Sequence, residues 1–183
     1  MTFSSLNSQG TGLVVVDAQT KLLNVMRRGP MIAENIDKLL QLAALFDLPV
    51  IATEQYPRMM GPIMPELSER LAEQEPIVKM DFDCCAVSEF NSRLEAAGVQ
   101  SVILAGVETH ICVLQTCLSL CEAGYRVHVA QDAVDSRTEE NWRVGIDLMR
   151  EAGAVISSTE TAIFQILKKA GTPEFKEMHR IVK

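Results

Sequence analysis

Short apolar, β-branched runs alternate along the whole chain with longer stretches in which apolar residues recur every three or four positions. This alternation predicts a parallel β-sheet covered by helices on both faces, because a strand buried on two sides reads as a nearly continuous apolar run. Six runs carry the strands: LVVVD (13–17), LPVIAT (48–53), PIVK (76–79), SVILAGV (101–107), RVHVA (126–130) and AVISS (154–158). Between them, Ile32, Ile36, Leu39, Leu40 and Ala43 share one helical face, as do Val87, Phe90, Leu94 and Ala97. Later stripes join Val113, Cys117, Leu120 and Cys121, then Trp142, Ile146 and Met149, then Ile163, Ile166, Leu167 and Ala170. Gly98, Gly124 and Gly153 each follow a stripe and precede a strand, the place of a left-handed helix cap. Residues 54–75, with Pro57, Gly61, Pro62 and Pro65, read as a long loop followed by a short helix, and Thr172-Pro173 opens a short terminal helix. No repeat or linker interrupts the pattern. The expectation is one domain over 1–183, a three-layer α/β/α Rossmann-like fold around a six-stranded parallel sheet.

Composition narrows the partners. The chain has 24 acidic and 17 basic side chains among 183 residues, a net charge of −7, and no run of Lys and Arg. That balance opposes the positive field needed to hold a phosphate backbone or an anionic bilayer, so neither nucleic acid nor membrane is an expected partner. No apolar stretch reaches the ~18 residues of a membrane span, and the opening MTFSSLNSQGTG lacks the basic and apolar regions of a secretory signal. An intracellular, cytoplasmic protein is expected, with a mitochondrial address left open. Five cysteines in such a setting are reduced thiols, each a core filler, a ligand or a nucleophile.

A doubly wound sheet binds ligands beyond the carboxyl ends of its strands, so the residues that follow each run are the candidates. Asp17 ends the first run and is either a helix-start carboxylate or a site acid. Lys79 ends the third and either extends to solvent or supplies charge to a site. The fourth run leads through Gly106, Val107, Glu108, Thr109, His110 and Ile111 to Cys112. With Thr109 as N-cap, Cys112 falls in the first helical turn, where free amides and the helix dipole favour a thiolate. Cys117 and Cys121 belong to the apolar stripe, and adjacent Cys84 and Cys85 lack the spacing of a metal pair. No histidine is well placed as partner: His110 is two residues from Cys112, His128 sits within a strand and His179 is terminal. The acid–base role then falls to Asp17, with Lys79 favouring both an ionised Asp17 and a Cys112 thiolate. Gly106 permits close backbone approach, and amides of the 108–112 turn offer an oxyanion site. There is neither a GxGxxG nor a GxxxxGK[ST] motif to cradle phosphates, so no nucleotide cofactor is expected.

Asp17 after VVV, Lys79 after PIV and GVETHICV around Cys112 together resemble the isochorismatase-like cysteine hydrolases over nearly the whole chain. TEQYP (53–57) and DAVDSR (132–137) are similar to the metal-free branch that holds the isochorismatase-domain-containing protein 2 group and the bacterial YcaC-like hydrolases. The resemblance implies a nucleophilic Cys112, proton transfer by Asp17, charge tuning by Lys79, and a thioester-type intermediate that water hydrolyses. It implies a cis peptide between Val107 and Glu108 that turns the Thr109 and Cys112 amides to one oxyanion site, and a homo-oligomer acting on a small molecule. Substrate contacts are expected from Gln19, Gln55, Tyr56, Phe82, Glu108, Thr109, Ser136 and Arg137. Phe82 reads equally as a core anchor, Tyr56 as packing beside Pro57, and Arg137 as a solvated cap. Nicotinamidases of the superfamily bind a metal through Asp and His after the second strand, where this chain has Thr53-Glu54-Gln55-Tyr56-Pro57 and no histidine before His110. No metal is therefore expected. Two other readings stay open: an ether hydrolase using Asp17 without the cysteine, and a scaffold that binds without catalysis.

Overall fold

The computed structural model describes residues 5–71 and 74–183, so the first four residues of the opening segment and residues 72 and 73 of the 54–75 segment lie outside the described part. In chain order the elements are β1 (Thr11–Val16), α1 (Thr20–Leu23), α2 (Gly29–Leu45), β2 (Val50–Gln55), α3 (Pro57–Met60), α4 (Pro65–Ser68), β3 (Ile77–Lys79), α5 (Ser88–Ala96), β4 (Ser101–Val107), α6 (Leu114–Glu122), β5 (Arg126–Asp135), α7 (Glu139–Glu151), β6 (Val155–Ser157), α8 (Thr159–Leu167) and α9 (Pro173–Val182). The sheet is six-stranded with order β3-β2-β1-β4-β5-β6, and every pairing is parallel.

Alternation along β1 builds both layers. Leu13 and Val15 join the core that holds Ile32, Ile36 and Leu39 of α2, Ile163 of α8 and Met178 of α9. Val14 and Val16 face the other core, with Phe90 of α5, Cys117 and Leu120 of α6, and Ile146 and Met149 of α7. A sheet covered twice buries its strands on both faces, which is why β1 and β4 are buried at every position. The order reverses between β1 and β4, and at such a switch point the loops leaving the two strands part and open a crevice.

Several expected boundaries shift. Residues 54–75 hold α3, α4 and a 3-10 turn (Glu69–Leu71) rather than a loop and one helix, each α turn started by a proline that needs no hydrogen-bonded amide. β5 runs five residues past Ala130, through polar Gln131 and Asp132, because its register against β4 slips between Leu104 and Gly106 and pairing resumes at Val134 and Asp135. Asp132 sits in this bulge and accepts from the amide and hydroxyl of Thr159 at 2.7 and 3.0 Å, starting α8. Ala97 and Ala170 lie beyond the helices whose stripes they were to extend, and both are exposed. Gly98, Gly124 and Gly153 take the left-handed conformation, with φ of 63°, 89° and 99°. No helix among the described residues is long and apolar enough to cross a membrane.

Candidate active site

Asp17 follows β1 directly in a left-handed conformation (φ 50°), turning the chain away from the strand line while its side chain stays fully buried. Its two carboxylate oxygens are held from two neighbouring strands. The Thr53 hydroxyl of β2 donates to Oδ1 at 2.7 Å, and the Lys79 ammonium of β3 donates to Oδ2 at 2.7 Å. Lys79 reaches across β2 to do so, with its side chain wholly buried. Gln55 Oε1 accepts its second short bond at 2.7 Å, and the carbonyls of Asp81 and Phe82 lie at 3.3 and 3.4 Å. Three ammonium protons thus meet a carboxylate, an amide oxygen and two carbonyls, a full set for a buried cation. Burial alone would lower the Lys79 pKa, but the Asp17 charge overrides it and the net displacement is upward, so the side chain is an ammonium at neutral pH.

Cys112 approaches the pair from the other side of the switch point. At Gly106 (φ 120°) an added Cβ would lie 2.0 Å from the Val16 carbonyl oxygen, so only glycine lets β4 run this close to β1. The next peptide, Val107–Glu108, is cis. The chain then enters a π-helical turn, Thr109–Val113, capped not by Thr109 but by Glu108, whose carbonyl accepts from the amides of Ile111 and Val113. The expected Thr109 N-cap therefore moves one residue back, and Thr109 is buried with its hydroxyl unbonded. Gly145 of α7 lies against this turn, and a Cβ there would come within 2.9 Å of the Thr109 carbonyl oxygen.

The thiol behaves differently from the expectation. Burial pushes the Cys112 pKa up, and Asp17, by charge and by hydrogen bond, pushes it the same way; Lys79 opposes them without prevailing. Cys112 rests as a thiol, not a thiolate. Desolvation outweighs the ammonium because that ammonium is already matched to Asp17. With 6% exposure, against 2% for Lys79 and none for Asp17, Cys112 has the most surface of the three.

The remaining predicted residues divide by place. Gln19 is fully buried and braces β2: its amide accepts from the Gln55 amide and donates to the carbonyls of Gln55 and Gly61, which leaves it structural work in place of a pocket wall. Gln55 orients Lys79 with its oxygen while its nitrogen donates to the Met80 carbonyl at 2.9 Å. Tyr56 (φ 37°) and Phe82 are exposed on the loops after β2 and β3, beside exposed Met59 and Met80. Ser136 is buried and its hydroxyl lies 2.9 Å from His110 Nδ1. Arg137 holds Glu108 through its amide and Nε, both at 3.1 Å. Buried Asp135 has Arg27 and Arg28 at 3.5 Å, and Arg28 stacks on Trp142.

Two residues of this site carried no expected role. Thr53 opens the TEQYP segment, yet a buried threonine in a strand reads as β-branched filler. Cys84, assigned only to an unspaced pair, lies with its sulfur 3.8 Å from the Thr53 hydroxyl. Among the described residues no group of three or more His, Cys, Asp or Glu side chains is arranged to hold a metal ion.

Residues 11–161 match the model of the isochorismatase domain family. The secreted isochorismatase effector Isc1 of Phytophthora sojae is 39% identical over 177 residues, covering 93% of this chain and 83% of that one. Isochorismatase domain-containing protein 2A of Mus musculus is 35% identical over 173 residues, with 93% and 82% covered. Among solved structures, MAR1 ribonuclease from Caenorhabditis elegans superposes with a TM-score of 0.92 at 36% identity, covering 98% of this chain and 92% of that one. The YcaC gene product of Escherichia coli, described as an octameric hydrolase of unknown specificity, gives 0.93 at 24% identity, with 99% and 92% covered.

Proposed function

The chain belongs to the isochorismatase family of hydrolases, and from that premise we propose that it hydrolyses a small uncharged amide or ester, without a metal, through Cys112, Asp17 and Lys79. The observation that carries the reading is the anchoring of Asp17, one oxygen on Lys79 and the other on Thr53, beside a Cys112 thiol that rests protonated. A protonated nucleophile needs a base at the moment of attack, and a fixed, ionised carboxylate supplies it.

The Cys112 sulfur attacks the carbonyl carbon as its proton passes to Asp17, forming a C–S bond and an oxyanion that amides of the 108–112 turn stabilise. Collapse breaks the bond to the amine or alcohol, which leaves with the proton from Asp17. Water then attacks the thioester, giving one proton to Asp17, and cleavage of the C–S bond returns that proton to sulfur. Lys79 remains an ammonium throughout and stays paired with Asp17 between proton transfers. Glu108 is paired with Arg137, and Asp135 with Arg27 and Arg28, so the charges at the strand ends are internally matched; this supports an uncharged substrate. Exposed Tyr56, Met59, Met80 and Phe82 add apolar surface to the loops beyond β2 and β3.

Assembly and setting belong to the same proposal. The E. coli neighbour is octameric, and a homo-oligomer is the reading for this chain, checked by its native mass. A cytoplasmic setting fits free thiols, although the P. sojae relative is secreted. The nematode neighbour is described as a ribonuclease, while the net charge of −7 here supports a small molecule over RNA. The test is turnover of a panel of small amides, esters, a vinyl ether and single-stranded RNA by the wild type, Cys112→Ala and Asp17→Asn. Amide or ester turnover lost in both variants is expected. Ether turnover surviving in Cys112→Ala would assign Asp17 alone, and RNA cleavage as the only activity would overturn the small-molecule reading.

A further inference from the structure

We propose that Thr53 is a positioning residue for the proposed base, its hydroxyl locking the rotation of the Asp17 carboxylate so that the carboxylate stays aimed at Cys112. The inference rests on the reading of Asp17 as the base.

The hydrogen-bond arithmetic is directional. Thr53 Oγ1 lies 2.7 Å from Asp17 Oδ1, accepts from the Asp17 amide at 3.3 Å, and has the Cys84 sulfur at 3.8 Å. It carries a single proton. An ionised carboxylate only accepts, so that proton is committed to Oδ1, and the Cys84 thiol must donate to the hydroxyl. Cys84 can do so at neutral pH, since burial keeps its thiol protonated. The chain of donors therefore runs one way, from Cys84 through Thr53 to Asp17.

The mechanical consequence concerns rotation about the carboxylate bond. That torsion joins sp³ to sp² carbon and has a broad profile, so nothing intrinsic to aspartate fixes it. Lys79 holds only Oδ2, and an ammonium is a compact point charge that tolerates a turning partner. A second anchor on Oδ1, from a residue locked in β2 one place beyond the last β1–β2 pair (Val15 with Ala52), removes the freedom. Catalytic groups need placement within about 0.5 Å and 10–20°, and displacement by about 1 Å costs on the order of 100-fold.

A merely structural threonine makes the opposite forecast, so two substitutions separate the roles. Thr53→Val keeps the shape and loses the hydroxyl, whereas Thr53→Ser keeps the hydroxyl and loses a buried methyl. Hydrolysis of p-nitrophenyl acetate is measured for both beside Asp17→Asn. Positioning predicts a 10- to 100-fold fall in kcat for Thr53→Val, with KM within about twofold, and for Thr53→Ser a kcat within about threefold of wild type despite lower stability. Activity that follows stability instead, with Ser worse than Val, overturns the inference. If Asp17→Asn loses hydrolysis while Thr53→Val retains it, the base assignment stands and positioning fails. If both retain it, the base assignment itself has failed.

Discussion

Replacing Lys79 with methionine removes the cation and keeps the apolar stem, which leaves a fully buried Asp17 with neutral donors only, the Thr53 hydroxyl and the Cys112 thiol. Breaking a buried pair from one side costs about 3–5 kcal/mol, because the remaining charge is neither hydrated nor matched. Gln55 Oε1 loses its ammonium as well, so the upper half of that range is expected. For a chain of this size each kcal/mol moves the melting temperature by roughly 2–4 °C, which gives a fall of roughly 8–20 °C. Urea unfolding at pH 7 measures the energy directly. Asp17→Asn/Lys79→Met, which removes both charges, should recover at least ~1 kcal/mol relative to the sum of the single losses, the sign of a coupled pair. Hydrolysis should fall in both single variants and stay low in the double one, separating stability from chemistry. A Lys79→Met protein as stable as wild type, or a strictly additive double variant, would refute the reasoning that both groups are charged and mutually dependent in the fold.

Other consequences are equally accessible. Burial raises the Cys84 thiol from 9.0 to about 11, so the folded protein keeps that proton after the unfolded chain has released it. Its contribution is complete below pH 9 and lost as pH rises toward 11, worth about 2 kcal/mol by pH 10.5. Urea titrations at pH 8 and 10.5 should show wild type losing about that much more than Cys84→Ala, and equal losses would contradict the assignment. Gly145→Ala brings a methyl group within 2.9 Å of the Thr109 carbonyl oxygen, so the turn bearing Cys112 must move. A stability cost of about 1–3 kcal/mol with a larger proportional fall in kcat than in 1/KM is expected, and unchanged kinetics would show that the turn tolerates the shift.

The strand-end rule made much of this site readable in advance. Asp17, Lys79 and the Gly106–Cys112 segment all follow apolar runs, and parallel topology sends every such end to one edge of the sheet. The reversal between β1 and β4 then brings residues 17 and 112 together. Burial was not readable in the same way. The Cys112 thiol was expected to ionise because helix start and lysine are visible as residue types, whereas the desolvation that reverses the shift depends on how its turn packs against α7 and β4. Gln19 followed a strand end and so looked like a pocket residue, but its amide meets two backbone segments that only the tertiary fold brings near. The extension of β5 was hidden because Gln131 and Asp132 break the apolar run and sit in a bulge that no local pattern announces. Thr53 was hidden for the opposite reason: a β-branched residue suits a strand whether or not its hydroxyl has work to do.

The central claim is that Cys112 becomes covalently acylated with Asp17 taking its proton. Acid-quenched mixing with p-nitrophenyl acetate, followed by peptide mapping, tests it most directly. The account predicts an acetyl thioester on Cys112 in the wild type, slower to form in Asp17→Asn, with turnover abolished in Cys112→Ala. Steady hydrolysis by Cys112→Ala, or acetyl found only on another residue, would contradict it.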